Sequence, residues 1–245
     1  MIEREERDGI VTLRLAHGKA NVLDLELCQA ITNAMRDEAG SRAIVLTGIA
    51  KIFSAGVDLI RLTSEGAPYI ERFFPALAES LMALLTFPRP LVAAINGHAI
   101  AGGCLVSLTA DYRVMCGGTI GGPELSVGVP FPAIAIEILR FAAGAYAHRL
   151  ATFGEIVAPH DAKSRRLVDE VVDTETLIPH AFDIAKRLAT VPDDAFRLTK
   201  ANLRQPYVRA AAAHAKQDAE ALEVWSSPET IAHIQTYLQR TLRKS

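Results

Sequence analysis

Residues 90–110 contain no Asp, Glu, Lys or Arg, and this stretch restricts the folds open to the chain more than any other part of it. It is long enough to cross a bilayer, so it belongs either in a membrane or deep inside a globular fold. Its interior chooses. Asn96, Gly97 and His98 interrupt it after the apolar LVAAI, and Gly102 and Gly103 interrupt it again just ahead of CLVSLTA. A membrane span needs an unbroken helix, whereas a short strand, a turn and a helix start describe a buried α/β crossover. No membrane span is expected, and YRVM at 112–115 reads as the next strand.

Gly102 and Gly103 lack a Cβ, so the chain can turn tightly there and let a ligand atom approach the main chain. The first amides of the helix behind them have no intrahelical acceptor and sit at the positive end of its dipole, where a developing oxyanion is stabilised. A glycine pair alone serves plain close packing equally well. A second small-residue loop makes the ligand reading more specific: KIFSAGVDL at 51–59 follows AIVLTG at 43–48, a buried strand. Two such loops are able to hold one oxygen from two sides.

The remaining pattern is strand then helix, repeated. Val11, Leu13 and Leu15 alternate with Thr12 and Arg14, which predicts a strand over 10–15; Leu27, Ile31 and Met35 form one helical stripe, with Gly40 placed to end it. A helix over 69–85 stops at FPRP, and CGGTIGGPE after residue 115 reads as a glycine-rich connection. Such alternation implies an α/β fold with parallel pairing and right-handed crossovers. From Pro192 the pattern turns helical: Asp193 to Leu203, Val208 to Trp225, and a helix opened by Ser227 as cap with Pro228 and Glu229 in its first turn. Two regions are expected, a core over 1–191 and a helical region over 192–245.

FSAGVDL at 53–59 and NGHAIAGG at 96–103 match, almost letter for letter, the signature loops F-[SA]-A-G-x-D-[LI] and N-G-x-A-x-[AG]-G-G. On these the chain resembles the crotonase superfamily, the enoyl-CoA hydratase and isomerase family. The resemblance implies the ClpP/crotonase-like fold of repeated β-β-α units with a C-terminal helical region, and a homotrimer or dimer of trimers built with those helices. It implies an acyl-CoA thioester as substrate, with coenzyme A entering as part of it and no separate cofactor. The oxyanion-hole amides fall on Val57 and Gly102, and substrate contacts on Ser54, Ala55, Gly56, Asp58, Leu59, Gly103 and Leu105.

The chemistry also needs a base beside the activated carbonyl. Glu124 stands among Pro123, Leu125, Val127, Val129 and Phe131, where loss of water disfavours the charged carboxylate and makes it a better base than a surface glutamate. In isolation a P-E pair also fits a helix entrance; the resemblance puts the catalytic glutamate at this position. Hydratases of the family carry a second glutamate in G-G-C-E, and here the run is Gly102-Gly103-Cys104-Leu105. Leucine cannot activate water, whereas moving a double bond needs only one proton shuttle. AGGCLVSLTADYRVM is very similar to the mitochondrial-type delta-3,delta-2-enoyl-CoA isomerases, and VGVPF at 127–131 resembles a shortened form of their L-G-I-x-x-P-F. The expected activity is conversion of 3-enoyl-CoA to trans-2-enoyl-CoA. A hydratase or related lyase, and a non-catalytic acyl-CoA-binding protein, are the alternatives.

Composition excludes other classes. With 245 residues, 50% hydrophobic, 22% charged and a formal net charge of −2, the chain has an ordinary globular make-up, and its basic residues are scattered apart from short pairs such as Arg165 with Arg166 and Arg243 with Lys244. No nucleic-acid footprint follows. Cys28, Cys104 and Cys116 lie in apolar patterns without metal-ligand spacing and read as reduced thiols. MIEREERDG is charged from its third residue, unlike the apolar core of a secretory signal, so a cytoplasmic location is expected. Ser54 and Ser126 have no nucleophile arrangement around them, and no metal motif is present. His98 reads as a turn histidine, Asp58 as a helix cap, and Asp111 with Arg113 as fixing the start of a strand.

Overall fold

The computed structural model describes residues 1–242. A six-stranded sheet runs in the order β1 (Ile2–Arg7), β2 (Ile10–Leu15), β4 (Ala43–Thr47), β7 (Leu91–Ile95), β9 (Tyr112–Met115) and β12 (Glu170–Val171). From β2 to β12 every pairing is parallel. Strands β4 and β7 are buried at every residue, because a parallel sheet is covered on both faces and its central strands then read as continuous apolar runs. A second sheet pairs β11 (Ile156–Val157), β10 (Ile120–Gly121), β8 (His98–Ile100) and β5 (Ile52–Ser54), and a small one pairs β3 (Val22–Leu23) with β6 (Gly56–Val57).

Two cores flank the large sheet. On one face Val11, Leu13, Ile44, Leu46, Ala93 and Ile95 meet α1 (Leu25–Asp37), α3 (Ala67–Thr86), α4 (Gly102–Leu108) and α6 (Ala133–Ala143). On the other, Ile10, Val45, Val92, Ala94 and Val114 pack on Leu177, Ala181, Ile184 and Ala185 of α9 (Thr174–Leu188). Shorter helices α2 (Leu59–Glu65), α5 (Glu124–Val127), α7 (Ala147–Phe153) and α8 (Pro159–Ser164) fill the connections. The repeat is β-β-α: a strand of the large sheet, a strand of the second sheet, then a helix, as in β7-β8-α4 and, with the two-residue β6 interposed before the helix, in β4-β5-α2.

Several local expectations need correction. The charged N-terminal segment is the edge strand β1, antiparallel to β2 from Ile2 opposite Leu15 to Arg7 opposite Ile10. Asp8 and Gly9 form its two-residue turn with φ of 56° and 75°, the geometry an Asp-Gly hairpin favours. Its run of charges keeps the edge from pairing further. Helix α1 ends at Asp37, and a 3-10 turn, Glu38–Gly40, follows before Ser41. The glycine-rich connection after β9 contains β10, a full member of the second sheet.

The end of the chain forms α10 (Asp193–Ala213), α11 (Ala215–Ser226) and α12 (Pro228–Leu242), with residues 243–245, including the Arg243 and Lys244 pair, outside the described residues. The break expected before Val208 is absent; α10 runs through Pro206, and the helix breaks at His214 instead. Tertiary anchors on either side of Pro206 explain this. Lys200 and Arg204 are buried on Asp111, with Nζ to Oδ2 at 2.6 Å and Nη2 to Oδ1 at 2.5 Å, and Tyr207 packs edge-on against Phe141. Asp111 also accepts from Leu91 N at 2.8 Å, so it does fix the start of a strand, while Arg113 pairs with Asp169 rather than with it. Ala211, Ala221, Trp225 and Ile234 all enter the larger core. Ser227 Oγ accepts from Thr230 N at 3.1 Å as the cap of α12.

Candidate active site

Both signature loops leave the large sheet at the C-terminal ends of neighbouring parallel strands, β4 and β7, the position at which open α/β sheets bind ligands. They are pressed against each other. A Cβ on Gly56 would stand 2.7 Å from Ile100 O and 3.2 Å from Gly102 N, and one on Gly103 would stand 2.4 Å from Ser54 O. Only glycine fits this approach, and the φ of 84° at Gly56 adds a conformational demand of the same kind. Ser54 is buried and works on the main chain: its Oγ donates to Asn21 O at 2.7 Å and accepts from Gly56 N at 3.2 Å.

The amides of the two loops follow from this framework. Asp58 N donates to Leu23 O at 3.1 Å. Successive amides of a strand alternate in direction, so the Val57 N–H faces away from Leu23. Asp58 caps α2 through its side chain, which accepts from Arg61 N at 3.0 Å. On the second loop Ala101 has φ 52° and ψ −123°, a conformation costly for any residue with a Cβ, at about 1–3 kcal/mol. It is held there by Ala101 N donating to Gly121 O at 2.7 Å and by Leu105 N donating to Ala101 O at 3.1 Å. The bend puts Gly102 N in the first turn of α4, where no intrahelical acceptor exists.

Ala55, Val57 and Leu59 from the first loop, Ile100 and Ala101 from the second, and Pro123, Glu124, Val127 and Val129 line a cavity of about 150 Å³ that is open to solvent on one side. Trp225 of α11 and Tyr237 of α12 complete it. Glu124 opens α5, is 8% exposed, and has no partner for either carboxylate oxygen among the described residues. Burial strips its water and pushes its pKa up to about 8, opposed only by its own backbone amide. Its carbonyl accepts from Gly128 N and Val129 N at 3.0 and 3.1 Å, which fixes the turn behind it. Burial, and secondarily the nearby Glu124, also raise the Cys104 thiol above its ordinary range. Cys28 and Cys116 are free as well.

Of the residues expected to contact substrate, Ala55, Val57, Leu59 and Glu124 reach the cavity wall. Ser54, Gly56, Gly102 and Gly103 form the packed backbone behind it, Asp58 caps a helix, and Leu105 is buried in the core. Leu125, expected to surround Glu124, is 48% exposed because α5 turns it outward. His98 is exposed and meets Thr119 Oγ1 at 3.0 Å. Trp225 and Tyr237 were not foreseen, although the single tryptophan of the chain lies in an otherwise alanine- and charge-rich helix. Among the described residues, no three His, Cys, Asp or Glu side chains are placed to hold a metal, and no helix is long and apolar enough to cross a membrane.

The enoyl-CoA hydratase/isomerase family model matches residues 5–241. Enoyl-CoA delta isomerase 1, mitochondrial, of Rattus norvegicus is 29% identical over 213 residues, covering 84% of this chain and 74% of that protein. The 2,3-dehydroadipyl-CoA hydratase of Escherichia coli (strain K12) is 28% identical over 212 residues, covering 84% of this chain and 81% of that protein. The crystal structure of human mitochondrial delta3-delta2-enoyl-CoA isomerase superposes with a TM-score of 0.93 over 100% of this chain and 99% of that one, at 27% identity. With its two loops, β-β-α repeats and matching length, this chain belongs to the enoyl-CoA hydratase/isomerase family of the crotonase superfamily.

Proposed function

We propose that the protein moves the double bond of a 3-enoyl-CoA to give trans-2-enoyl-CoA, with Glu124 as its one proton shuttle. The observation carrying this reading is that, among the described residues, Glu124 is the only carboxylate on the cavity wall and both its oxygens lack partners. The thioester oxygen accepts from the Val57 and Gly102 amides, which draws electron density from C2. Glu124 takes a proton from C2, the electrons spread as a dienolate, and the same carboxyl returns a proton to C4. The positions of the double bond change, and no atom is gained or lost. A carboxyl with its pKa near 8 suits both halves, because neither protonation state is far from neutral pH.

Hydration of a 2-enoyl-CoA requires a group to deprotonate water, and the position of the second hydratase glutamate holds the buried Leu105. Incubating the protein separately with crotonyl-CoA and with 3-hexenoyl-CoA tests the assignment. Migration in the second should far outpace hydration of the first. Rapid 3-hydroxyacyl-CoA formation from crotonyl-CoA with no migration in 3-hexenoyl-CoA makes it a hydratase; no turnover of either supports the binding-only alternative. Assembly as a trimer or dimer of trimers belongs to the same proposal. Leu198 and Leu203 on α10 and Phe153 at the end of α7 are large exposed apolar side chains that association would cover, and sedimentation velocity reads the mass directly.

A further inference from the structure

We infer that the cavity selects short, unsubstituted acyl chains of about six carbons or fewer, with Trp225 and Tyr237 setting the limit. The inference rests on the reading of Glu124 as the group that faces C2 and C4. A cavity of about 150 Å³ lined by apolar side chains accommodates a molecule such as benzene, with about six carbon atoms. This one has that volume, open on the side of the two loops, where Ala55 is exposed and Val57 and Leu59 are partly exposed, and shut at its buried wall of Val127, Val129 and Trp225. The carbons from the thioester carbonyl to C4 must lie between the two amide loops and Glu124, which leaves space for about two more.

The far wall is not free to recede. Trp225 is 2% exposed and wedged against Phe73 and Phe74, with ring centroids at 6.3 and 5.6 Å, and its indole N–H donates to Pro130 O at 2.8 Å. Rotating the indole away from the cavity would break that hydrogen bond and both ring contacts. Val127 and Val129 are buried beside it, and the intervening Gly128 has the ring of His233 where its Cβ would be, at 2.6 Å, so α12 is clamped onto the loop that follows Glu124. Of the two wall residues from the C-terminal helices, Trp225 is buried and Tyr237 is partly exposed. Apart from Glu124 and the Tyr237 hydroxyl the lining side chains offer apolar surface, because the Trp225 N–H is already spent. An acyl chain ending in a carboxylate would leave that charge unpaired, which selects against it.

Saturated acyl-CoAs probe the cavity without requiring any chemistry. By calorimetry, affinity for butyryl-, hexanoyl-, octanoyl- and decanoyl-CoA should rise about fourfold per methylene while each new methylene is buried, and stop rising beyond hexanoyl. Tyr237→Ala, at a partly exposed position where folding is least at risk, should let the rise continue to octanoyl, while Val129→Phe should flatten it at butyryl. Adipyl-CoA, a six-carbon chain with a terminal carboxylate, should bind at least tenfold more weakly than hexanoyl-CoA. Affinity that climbs steadily to decanoyl in the unmodified protein, or a Tyr237→Ala profile identical to it, overturns the inference. Chain-length selection in binding with no migration in any 3-enoyl-CoA leaves this inference standing and removes the isomerase reading; migration with no selection does the reverse.

Discussion

Replacing Glu124 by Gln should make the protein more stable, by an amount that grows with pH. The carboxyl has its ordinary value of 4.5 in the unfolded chain and about 8 in the buried site. Below pH 4.5 it is protonated in both states and contributes no pH dependence. Between 4.5 and 8 the unfolded chain ionises while the folded one resists, so stability falls by about 1.4 kcal/mol per pH unit. Above 8 both are ionised and the cost is constant. The accumulated penalty is about 1 kcal/mol at pH 5, about 3 at pH 7 and about 5 at pH 9. Gln keeps the shape and has no such dependence. Urea denaturation of both proteins at pH 5, 7 and 9, at one protomer concentration and followed by the fluorescence of Trp225, measures the difference. Curves separated by the same free energy at all three pH values would refute the buried, unpartnered carboxyl.

Activity should move in the opposite sense. Gln cannot accept a proton, so double-bond migration should fall by about 10² to 10⁴-fold, the usual range for loss of a general base, while binding of hexanoyl-CoA persists. In the unmodified enzyme kcat/KM should rise with pH and level off above about 8, since the free enzyme must present an ionised base. A stability gain joined to a loss of turnover is the mark of a group kept for function against the preference of the fold.

The central strands were legible because burial on both faces leaves unbroken apolar runs: AIVLT, LVAAI and YRVM appear in the structure with the bounds expected from sequence. The second sheet was not. Its strands β5, β8, β10 and β11 are two or three residues long, too short for any periodicity, and exist because neighbouring loops hold them. Strand β1 was hidden by its charge, although the Asp-Gly turn was there to be read. The glycine motifs announced where two backbones meet, but not that the strained residue is Ala101, since alanine gives no sign of a positive φ. Helical spacing showed that the end of the chain has apolar stripes. It does not show what those stripes cover, which is how Trp225 and Tyr237, so far along the chain from Glu124, escaped notice.

Val57→Pro removes one of the two amides proposed to bind the thioester oxygen and should lower kcat by about 10² to 10³-fold; a folded Val57→Pro protein with unmodified turnover of 3-hexenoyl-CoA refutes that role. The last test concerns the anchor of α10. Asp111 faces two buried cations, Lys200 and Arg204, so the cluster carries one excess positive charge, and burial lowers the Lys200 pKa to about 8 despite the neighbouring carboxylate. That charge disfavours folding at neutral pH, and the cost is relieved as pH rises from about 8 towards 10.5, where the unfolded chain also loses its proton. Lys200→Met therefore leaves a neutral Asp111–Arg204 pair; it forfeits the bonds to Asp111 and Arg89 O but also removes the buried excess charge, so its net cost at pH 7 should stay under about 1 kcal/mol. Asp111→Asn instead leaves both cations without a counter-charge and weakens the bond to Leu91 N, and should cost about 3–5 kcal/mol. The asymmetry is the signature: equal losses in the two variants would mean that α10 is held by packing around Phe141 and Tyr207, with the charges contributing little.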